Sequence, residues 1–109
     1  MTQPLTLWTA ATPNGWKISI MIEELRELGI ELPPVEVIPV DIMNGEQFSD
    51  AFKAVSANQK IPGLVHGTIR LMESCAILQY LGEQFPSSLY PSDASRYDVL
   101  QWLTWQAAG

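Results

Sequence analysis

The chain of 109 residues has little cysteine and little positive charge. Its single cysteine, Cys75, excludes an internal disulfide and a cysteine-ligated zinc cluster, so we expect no metal site. Its six Lys and Arg residues are scattered and are outnumbered by 12 Asp and Glu residues, which gives a net charge of −6. Nucleic-acid binding depends on clustered basic side chains that neutralise phosphates, so nucleic acid is not an expected partner.

Long apolar runs and a basic N-terminal region are also missing. The apolar stretches break within a few residues, which is too short for a membrane-spanning helix. The first eight residues show neither the basic start nor the apolar run of a secretory signal peptide. Together with the lone cysteine, these features predict a cytoplasmic protein that does not bind membranes.

Residue patterning predicts an ordered series of strands and helices. The first predicted elements are strand Leu5–Thr9, then after the Thr12–Gly15 turn a helix ended by Gly29, with Ile18, Met21, Ile22, Leu25 and Leu28 at helical spacing. Edge strand Val35–Val40 containing Pro39 follows, and then a short helix within Glu46–Val55 packed by Phe48, Phe52 and Val55. The last are strands Ile61–Val65 and Thr68–Met72 and a helix capped by Ser74. A parallel βαβ unit followed by an antiparallel hairpin and a closing helix predicts an α/β, thioredoxin-like βαβαββα fold with a four-stranded mixed sheet.

A segment rich in Pro and Ser separates this unit from the C-terminal residues. We expect residues 87–93 to link a domain of residues 1–86 to a last helix in residues 94–109. That helix carries more apolar surface than one narrow face can bury, so we expect it to self-associate or to stay mobile. Its apolar residues are Tyr97, Leu100, Trp102, Leu103 and Trp105.

Three loops are predicted to meet where strand ends face helix starts. The first loop places the short polar side chains of Thr12 and Asn14 ahead of the first helix. Two interpretations stay open for them. They either cap the helix, a position that Asn and Thr favour, or donate hydrogen bonds that stabilise a thiolate.

The second loop contains Lys60-Ile61-Pro62, which opens a predicted strand. A cis bond at Pro62 would turn the backbone N–H and C=O of Ile61 outward, where a peptide ligand pairs with them in strand fashion. An ordinary trans proline at a sheet edge is the alternative.

The third loop places Glu73-Ser74 directly before a helix. The helix N-terminus favours a carboxylate, Ser74 adds a hydroxyl donor, and Glu73 suits an ammonium group. Both the α-amino and the α-carboxylate group of an amino acid would then have a binding partner. Alternatively, Ser74 is only an N-cap and Glu73 only a favourable acid near the first turn.

Five short motifs follow one another in a fixed order. They are Thr12-Pro13-Asn14-Gly15-Trp16-Lys17, residues 41–48, Asn58-Gln59-Lys60-Ile61-Pro62, Glu73-Ser74 with residues 76–81, and residues 101–106. Together they resemble the N-terminal half of a glutathione S-transferase, and within that superfamily they are similar to the Nu class and the fungal nitrogen-regulator branch. The resemblance spans almost the whole chain and departs from the family pattern at Gln59, Gly63 and Cys75.

The resemblance implies a domain that binds glutathione as a cosubstrate. Thr12 and Asn14 would stand near the glutathione sulfur as the catalytic residues. The glutathione-binding residues would be Gln47 and Lys60 at the glycine end, Ile61 and a cis Pro62 at the cysteinyl part, and Glu73 and Ser74 at the γ-glutamyl end.

The resemblance also implies an activity and an assembly. It implies conjugation of glutathione to a small electrophile or reduction of a disulfide substrate, and a homodimer at full length. Residues 94–109 would be the first helix of an incomplete all-α domain. The alternative is a non-catalytic glutathione-binding or regulatory module. Cys75 is expected to be a small packed residue rather than a glutaredoxin-like nucleophile, and His66 a turn residue.

Overall fold

A four-stranded mixed sheet organises residues 3–108, which are the residues that the computed structural model describes. The strands are β1 (Leu5–Thr9), β2 (Val35–Pro39), β3 (Gly63–His66) and β4 (Ile69–Met72), and the helices are α1 (Pro13–Glu27), α2 (Asp50–Lys53), α3 (Ser74–Gln84) and α4 (Arg96–Ala108). The strand order is β2-β1-β3-β4, with β1 parallel to β2 and both other pairs antiparallel. The predicted α/β class and mixed sheet are confirmed.

The core lies between the sheet and the helices α1 and α3. Strand β1 alternates buried and half-buried residues, so that Leu5, Leu7 and Thr9 face inward. The apolar side chains of Leu5 and Leu7 join those of the two helices and of β3, and burial of this apolar surface stabilises the fold. The fully or almost fully buried members of this cluster are Leu5, Leu7, Ile18, Ile22, Leu25, Leu64, Ile77 and Leu81.

Helix α1 starts almost in contact with the end of β1. A Cβ atom on Gly15 would lie 2.2 Å from the carbonyl oxygen of Ala10, which no side chain tolerates. Glycine is therefore required here by close packing of the helix on the strand. At the other end of α1, Gly29 has a φ of 78°, the left-handed conformation predicted for the end of this helix.

The segment between β2 and β3 differs from the prediction of one short helix packed by Phe48, Phe52 and Val55. It forms two 3-10 turns, Ile42–Asn44 and Glu46–Phe48, and then the four-residue α2. Gly45 separates the turns with a φ of 77°, and the Ser49 side chain caps α2. These breaks change the helical phase, so Phe52 is buried whereas Phe48 is 63% exposed.

Several predicted boundaries shift by one or two residues. Strand β2 is an edge strand, as Pro39 predicted, but it ends at Pro39 rather than Val40. Strand β3 begins at Gly63, directly after the two residues Ile61 and Pro62 that the prediction had included.

Helix α4 begins at Arg96, and the Ser95 backbone N–H just before it donates to Asp93 Oδ1 at 2.9 Å. Two large apolar side chains on the helix, Trp102 and Trp105, are 61% and 67% exposed. Their rings contact each other edge to face, with centroids 5.5 Å apart. Among residues 3–108, no helix is long and apolar enough to cross a bilayer.

Candidate functional site

The three predicted loops lie at one edge of the sheet. Strand register aligns Trp8 near the end of β1 with Gly63 at the start of β3, and aligns Gly63 with Met72 at the end of β4. The loop after β1, the loop before β3 and the loop after β4 therefore converge, as predicted from the sequence.

Two adjoining cavities occupy this edge. The Glu73 cavity, of about 200 Å³, is lined by Asn14, Ser56, Asn58, Lys60, Ile61, Pro62, Met72, Glu73 and Ser74. The Gln47 cavity, of about 260 Å³, is lined by Thr12, Asn14, Ile42, Gln47, Gln59, Lys60 and Ile61. Asn14, Lys60 and Ile61 line both, so the two cavities adjoin at these residues. All eight site residues predicted from the sequence line one cavity or the other.

Thr12 is the N-cap of α1. Its hydroxyl oxygen accepts a hydrogen bond from the Gly15 N–H at 3.3 Å. A hydroxyl has one donor and two acceptor positions, so the proton of Thr12 remains available to a ligand in the Gln47 cavity. Capping and donation to a thiolate are therefore compatible for Thr12. Asn14 is not the cap: it lies within the first turn of α1 and is exposed on both cavities.

The Ile61–Pro62 peptide bond is cis, as predicted. Ile61 is half-buried and lies two residues before Gly63, the first residue of β3, so it is outside the pairing register of the sheet. Lys60, the residue before it, is exposed and carries the positive charge that lines both cavities.

At the start of α3 the predicted cap is wrong. The N-cap position belongs to Glu73, and Ser74 is the first helical residue. The first helical hydrogen bond runs from the Ile77 N–H to the Glu73 carbonyl at 3.0 Å. The Glu73 side chain makes no capping hydrogen bond, so it leaves the N–H groups of the first turn to other acceptors.

Glu73 also adopts a strained backbone conformation. Its φ of 76° and ψ of 118° lie in a region that residues with a Cβ atom rarely occupy. Such a conformation costs on the order of 1–3 kcal/mol and is found preferentially at functional sites. Strain at a residue that lines a cavity points to a role for that side chain beyond folding.

Gln47 supplies a second sign of a ligand site. Its Oε1 atom is buried and has no hydrogen-bond partner among the described residues. Buried polar atoms in native proteins are nearly always paired. An unpaired amide oxygen on the wall of the Gln47 cavity suits a ligand group that donates a hydrogen bond to it.

Sequence reasoning missed Ser56. This residue is completely buried and lines the Glu73 cavity. Its position between α2 and the Lys60 loop gave no signal, because a serine in such a segment reads as an ordinary turn residue. Asn58 and Met72 lay in the predicted loops but had not been assigned a role.

Cys75 follows Ser74 in α3 but does not line either of these two cavities. The half-buried sulfur accepts a hydrogen bond from the Gln106 side-chain amide of α4 at 3.2 Å. This contact agrees with the expected packing role. His66 is the last residue of β3 rather than a turn residue, and its ring contacts Tyr80 of α3.

Residues 3–83 match the family described as the N-terminal domain of glutathione S-transferase. The disulfide-bond oxidoreductase YghU of Escherichia coli is 42% identical over 106 residues, which cover 94% of this chain and 37% of that protein. The crystal structure of glutathione transferase YghU from Streptococcus pneumoniae, complexed with glutathione, superimposes with a TM-score of 0.91 and 39% identity, over 97% of this chain and 42% of that one.

A glutathione transferase from Pseudomonas putida, solved with one glutathione disulfide bound per subunit, superimposes with a TM-score of 0.85 and 39% identity. The match covers 98% of this chain and 46% of that one. The chain thus spans less than half the length of these relatives. The matched family accounts for the fold and for most of the residues, and the chain belongs to the glutathione S-transferase N-terminal domain family.

Proposed function

We propose that this chain is the glutathione-binding domain of a glutathione transferase or glutathione-dependent disulfide oxidoreductase. The observation that carries the proposal is the convergence of all eight residues assigned from the sequence on two adjoining cavities. Relatives solved with glutathione or glutathione disulfide support the choice of ligand.

The Glu73 cavity suits the γ-glutamyl end of glutathione. The Glu73 carboxylate is exposed and makes no capping hydrogen bond to the helix, so it is available to pair with the α-ammonium group. The Ser74 hydroxyl and the first-turn N–H groups of α3 receive the α-carboxylate, because a helix N-terminus favours an anion. The strained backbone of Glu73 holds its carboxylate beside these donors.

The other cavity suits the remainder of the tripeptide. Ile61 pairs through its backbone with the cysteinyl part, in the manner of an added strand next to the cis Pro62. Lys60 and Gln47 receive the glycine end, where the Lys60 ammonium attracts the carboxylate and the glycyl N–H donates to the unpaired Gln47 Oε1.

Thr12 and Asn14 activate the thiol. Their hydroxyl and amide groups donate hydrogen bonds to the glutathione sulfur, which favours thiolate over thiol and lowers the thiol pKa. The thiolate then attacks an electrophilic carbon and displaces a leaving group. With a disulfide substrate it attacks one sulfur, forms a mixed disulfide with glutathione and expels the other sulfur as a thiolate.

Finer assignments belong to the same proposal. We infer that the chain falls in the Nu-class or fungal nitrogen-regulator branch of the family. We also infer that residues 1–86 form the glutathione-binding domain, that residues 87–93 are a linker, and that residues 94–109 are the first helix of an all-α domain. Residues 1–2 and 109 lie outside the described residues. The exposed rings of Trp102 and Trp105 suit a helix that packs against further helices, and the full-length protein is proposed to be a cytoplasmic homodimer.

A non-catalytic glutathione-binding module is the second candidate. It is favoured by the openness of the site, where Asn14, Lys60 and Glu73 are all exposed to solvent. Electrostatic stabilisation of a thiolate is weaker in water than in an enclosed site.

One experiment separates the two candidates. Glutathione is titrated calorimetrically into the 109-residue chain, and turnover is measured with a chlorodinitrobenzene electrophile and with bis-hydroxyethyl disulfide. The same assays are run on the chain fused to the part of the Streptococcus pneumoniae relative that the match does not cover. Turnover by the fusion supports the enzyme, binding without turnover in both proteins supports the module, and absence of glutathione binding in both overturns the proposal.

A further inference from the structure

Ser56 is a fully buried hydroxyl on the wall of the Glu73 cavity. Its Oγ donates a hydrogen bond to the Lys60 carbonyl oxygen at 2.9 Å and accepts one from the Lys60 N–H at 3.4 Å. One side chain therefore holds both backbone groups of a single loop residue. A hydroxyl with one donor and two acceptor positions can make both bonds at once.

The backbone of Ser56 is itself fixed on the core side. Its N–H donates to the Phe52 carbonyl at 2.8 Å, and its carbonyl accepts from the Gln59 N–H at 2.9 Å. Phe52 is fully buried. The hydroxyl is thus anchored to the end of α2, and through it the Lys60 backbone is tied to the interior of the domain.

These bonds set the direction of the Ile61 N–H. The Lys60 carbonyl and the Ile61 N–H belong to the same peptide unit, and in a trans peptide these two groups point in opposite directions. The cis bond is the following one, between Ile61 and Pro62. Because the Lys60 carbonyl is turned towards Ser56, the Ile61 N–H points away from Ser56.

We propose that Ser56 is a positioning residue for the bound tripeptide: its hydroxyl fixes the Lys60–Ile61 peptide so that the Ile61 N–H is presented to the cysteinyl carbonyl of glutathione. This inference rests on the proposed function. A donor fixed before binding loses less conformational entropy when the ligand arrives, which raises affinity without any contact between Ser56 and the ligand.

Ser56→Ala removes both hydrogen bonds to Lys60 and frees the peptide to rotate. The Ile61 N–H then points in the productive direction for only part of the time. If the loss of binding free energy is about that of one hydrogen bond, the affinity for the ligand falls roughly fivefold to tenfold.

The test uses the 109-residue chain and S-methylglutathione, which keeps the peptide backbone and carries no free thiol. Affinity is measured by calorimetry, and the Ile61 amide resonance is followed by NMR during the titration. In the wild-type chain the Ile61 amide proton shifts downfield on binding. In Ser56→Ala the affinity falls by the expected factor and the Ile61 shift at saturation is much smaller.

Ser49→Ala is the matched control. The Ser49 hydroxyl caps α2 by accepting the Phe52 N–H at 3.2 Å, so its loss also reduces stability. Ser49 lines neither cavity of the site, so this variant keeps wild-type affinity and the full Ile61 shift. All measurements are made well below the unfolding temperature of each variant.

The outcomes separate the two levels of inference. If the wild-type chain binds no S-methylglutathione, the positioning role falls together with glutathione binding by this chain. If the wild-type chain binds and Ser56→Ala keeps both its affinity and its Ile61 shift, only the role of Ser56 is overturned. Should Ser56→Ala not fold, Ser56→Cys carries the same test, because its thiol fills the place of the hydroxyl but is too weak a donor to hold the Lys60 carbonyl; wild-type affinity with the full Ile61 shift in that variant overturns the role.

Discussion

The Tyr80 hydroxyl of α3 lies 2.6 Å from Nδ1 of His66, the last residue of β3. The two rings also meet edge to face, with centroids 5.9 Å apart. This hydrogen bond ties the closing helix to the end of the sheet opposite the two cavities. It is far from the proposed chemistry, so its effects on stability are separable from effects on binding.

Tyr80→Phe should lower the stability of the domain without changing glutathione affinity. The substitution removes one partly buried hydrogen bond and keeps the ring, which corresponds to a loss of about 0.5–1.5 kcal/mol in the free energy of unfolding. Urea denaturation monitored by circular dichroism measures the difference. Tyr97→Phe is the control, because Tyr97 is exposed. Equal losses of unfolding free energy in Tyr80→Phe and Tyr97→Phe would contradict the structural role of Tyr80.

The same residue predicts a pH dependence. Partial burial raises the pKa of the Tyr80 phenol above its ordinary value of 10.0. The folded chain therefore holds this proton to a higher pH than the unfolded chain does, and the stability from this group is fully present below pH 10.0 and declines as pH rises further. The free energy of unfolding, measured by denaturation from neutral to alkaline pH, should decrease less steeply with pH for Tyr80→Phe than for wild type. An equal pH dependence in the two proteins would refute the role of Tyr80.

Glu73 should show opposite effects on stability and binding. Glu73→Gly relieves the backbone strain at a φ of 76° and should raise the free energy of unfolding by about 1 kcal/mol. The same change removes the carboxylate, so glutathione binding should weaken by roughly 1.5–3 kcal/mol, as in Glu73→Ala.

Calorimetry and urea denaturation test both halves of this prediction. Glu83→Ala is the control, since Glu83 is an exposed acid near the other end of the same helix. Wild-type affinity in both Glu73 variants would remove this side chain from the site. A large loss of stability in Glu73→Gly would show that the conformation is not strained.

Cys75→Ser should leave activity largely intact in the fusion with the unmatched part of the Streptococcus pneumoniae relative. The sulfur accepts a hydrogen bond from Gln106 and is not on the wall of either cavity, so no step of the proposed reaction requires it. Disulfide reductase assays should give most of the wild-type rate. The contrasting substitution is Asn14→Ala, which should slow the reaction strongly; the reverse ranking would make Cys75 the nucleophile.

The order of elements and the three loops were predictable because both depend on local signals. Apolar periodicity identified α1, and turn residues marked the chain reversals that bring Thr12, Lys60 and Glu73 to one edge. The family resemblance then assigned the eight residues that the structure brings together, but their roles stay predictions.

The misses have a common physical cause, which is that tertiary context decided the local conformation. Glutamate rarely adopts a positive φ, so nothing in the sequence indicated that Glu73 rather than Ser74 occupies the cap position. The sequence pattern placed Phe48 in the core, but the left-handed turn at Gly45 changes the direction of the chain and leaves Phe48 exposed. Ser56 gave no signal because its burial depends on the packing of the whole loop.

Helix α4 provides the last prediction. Trp102 and Trp105 are exposed and contact each other edge to face, and adjoining exposed aromatic side chains mark a surface that associates. We expect the 109-residue chain to self-associate through this helix as its concentration rises, whereas a version ending at Asp93 stays monomeric. Sedimentation velocity over a range of concentrations measures this. Trp102→Gln with Trp105→Gln should act like the truncation, while Trp16→Gln, which changes an exposed tryptophan on α1, should not. A monomeric wild-type chain at every concentration would refute the prediction.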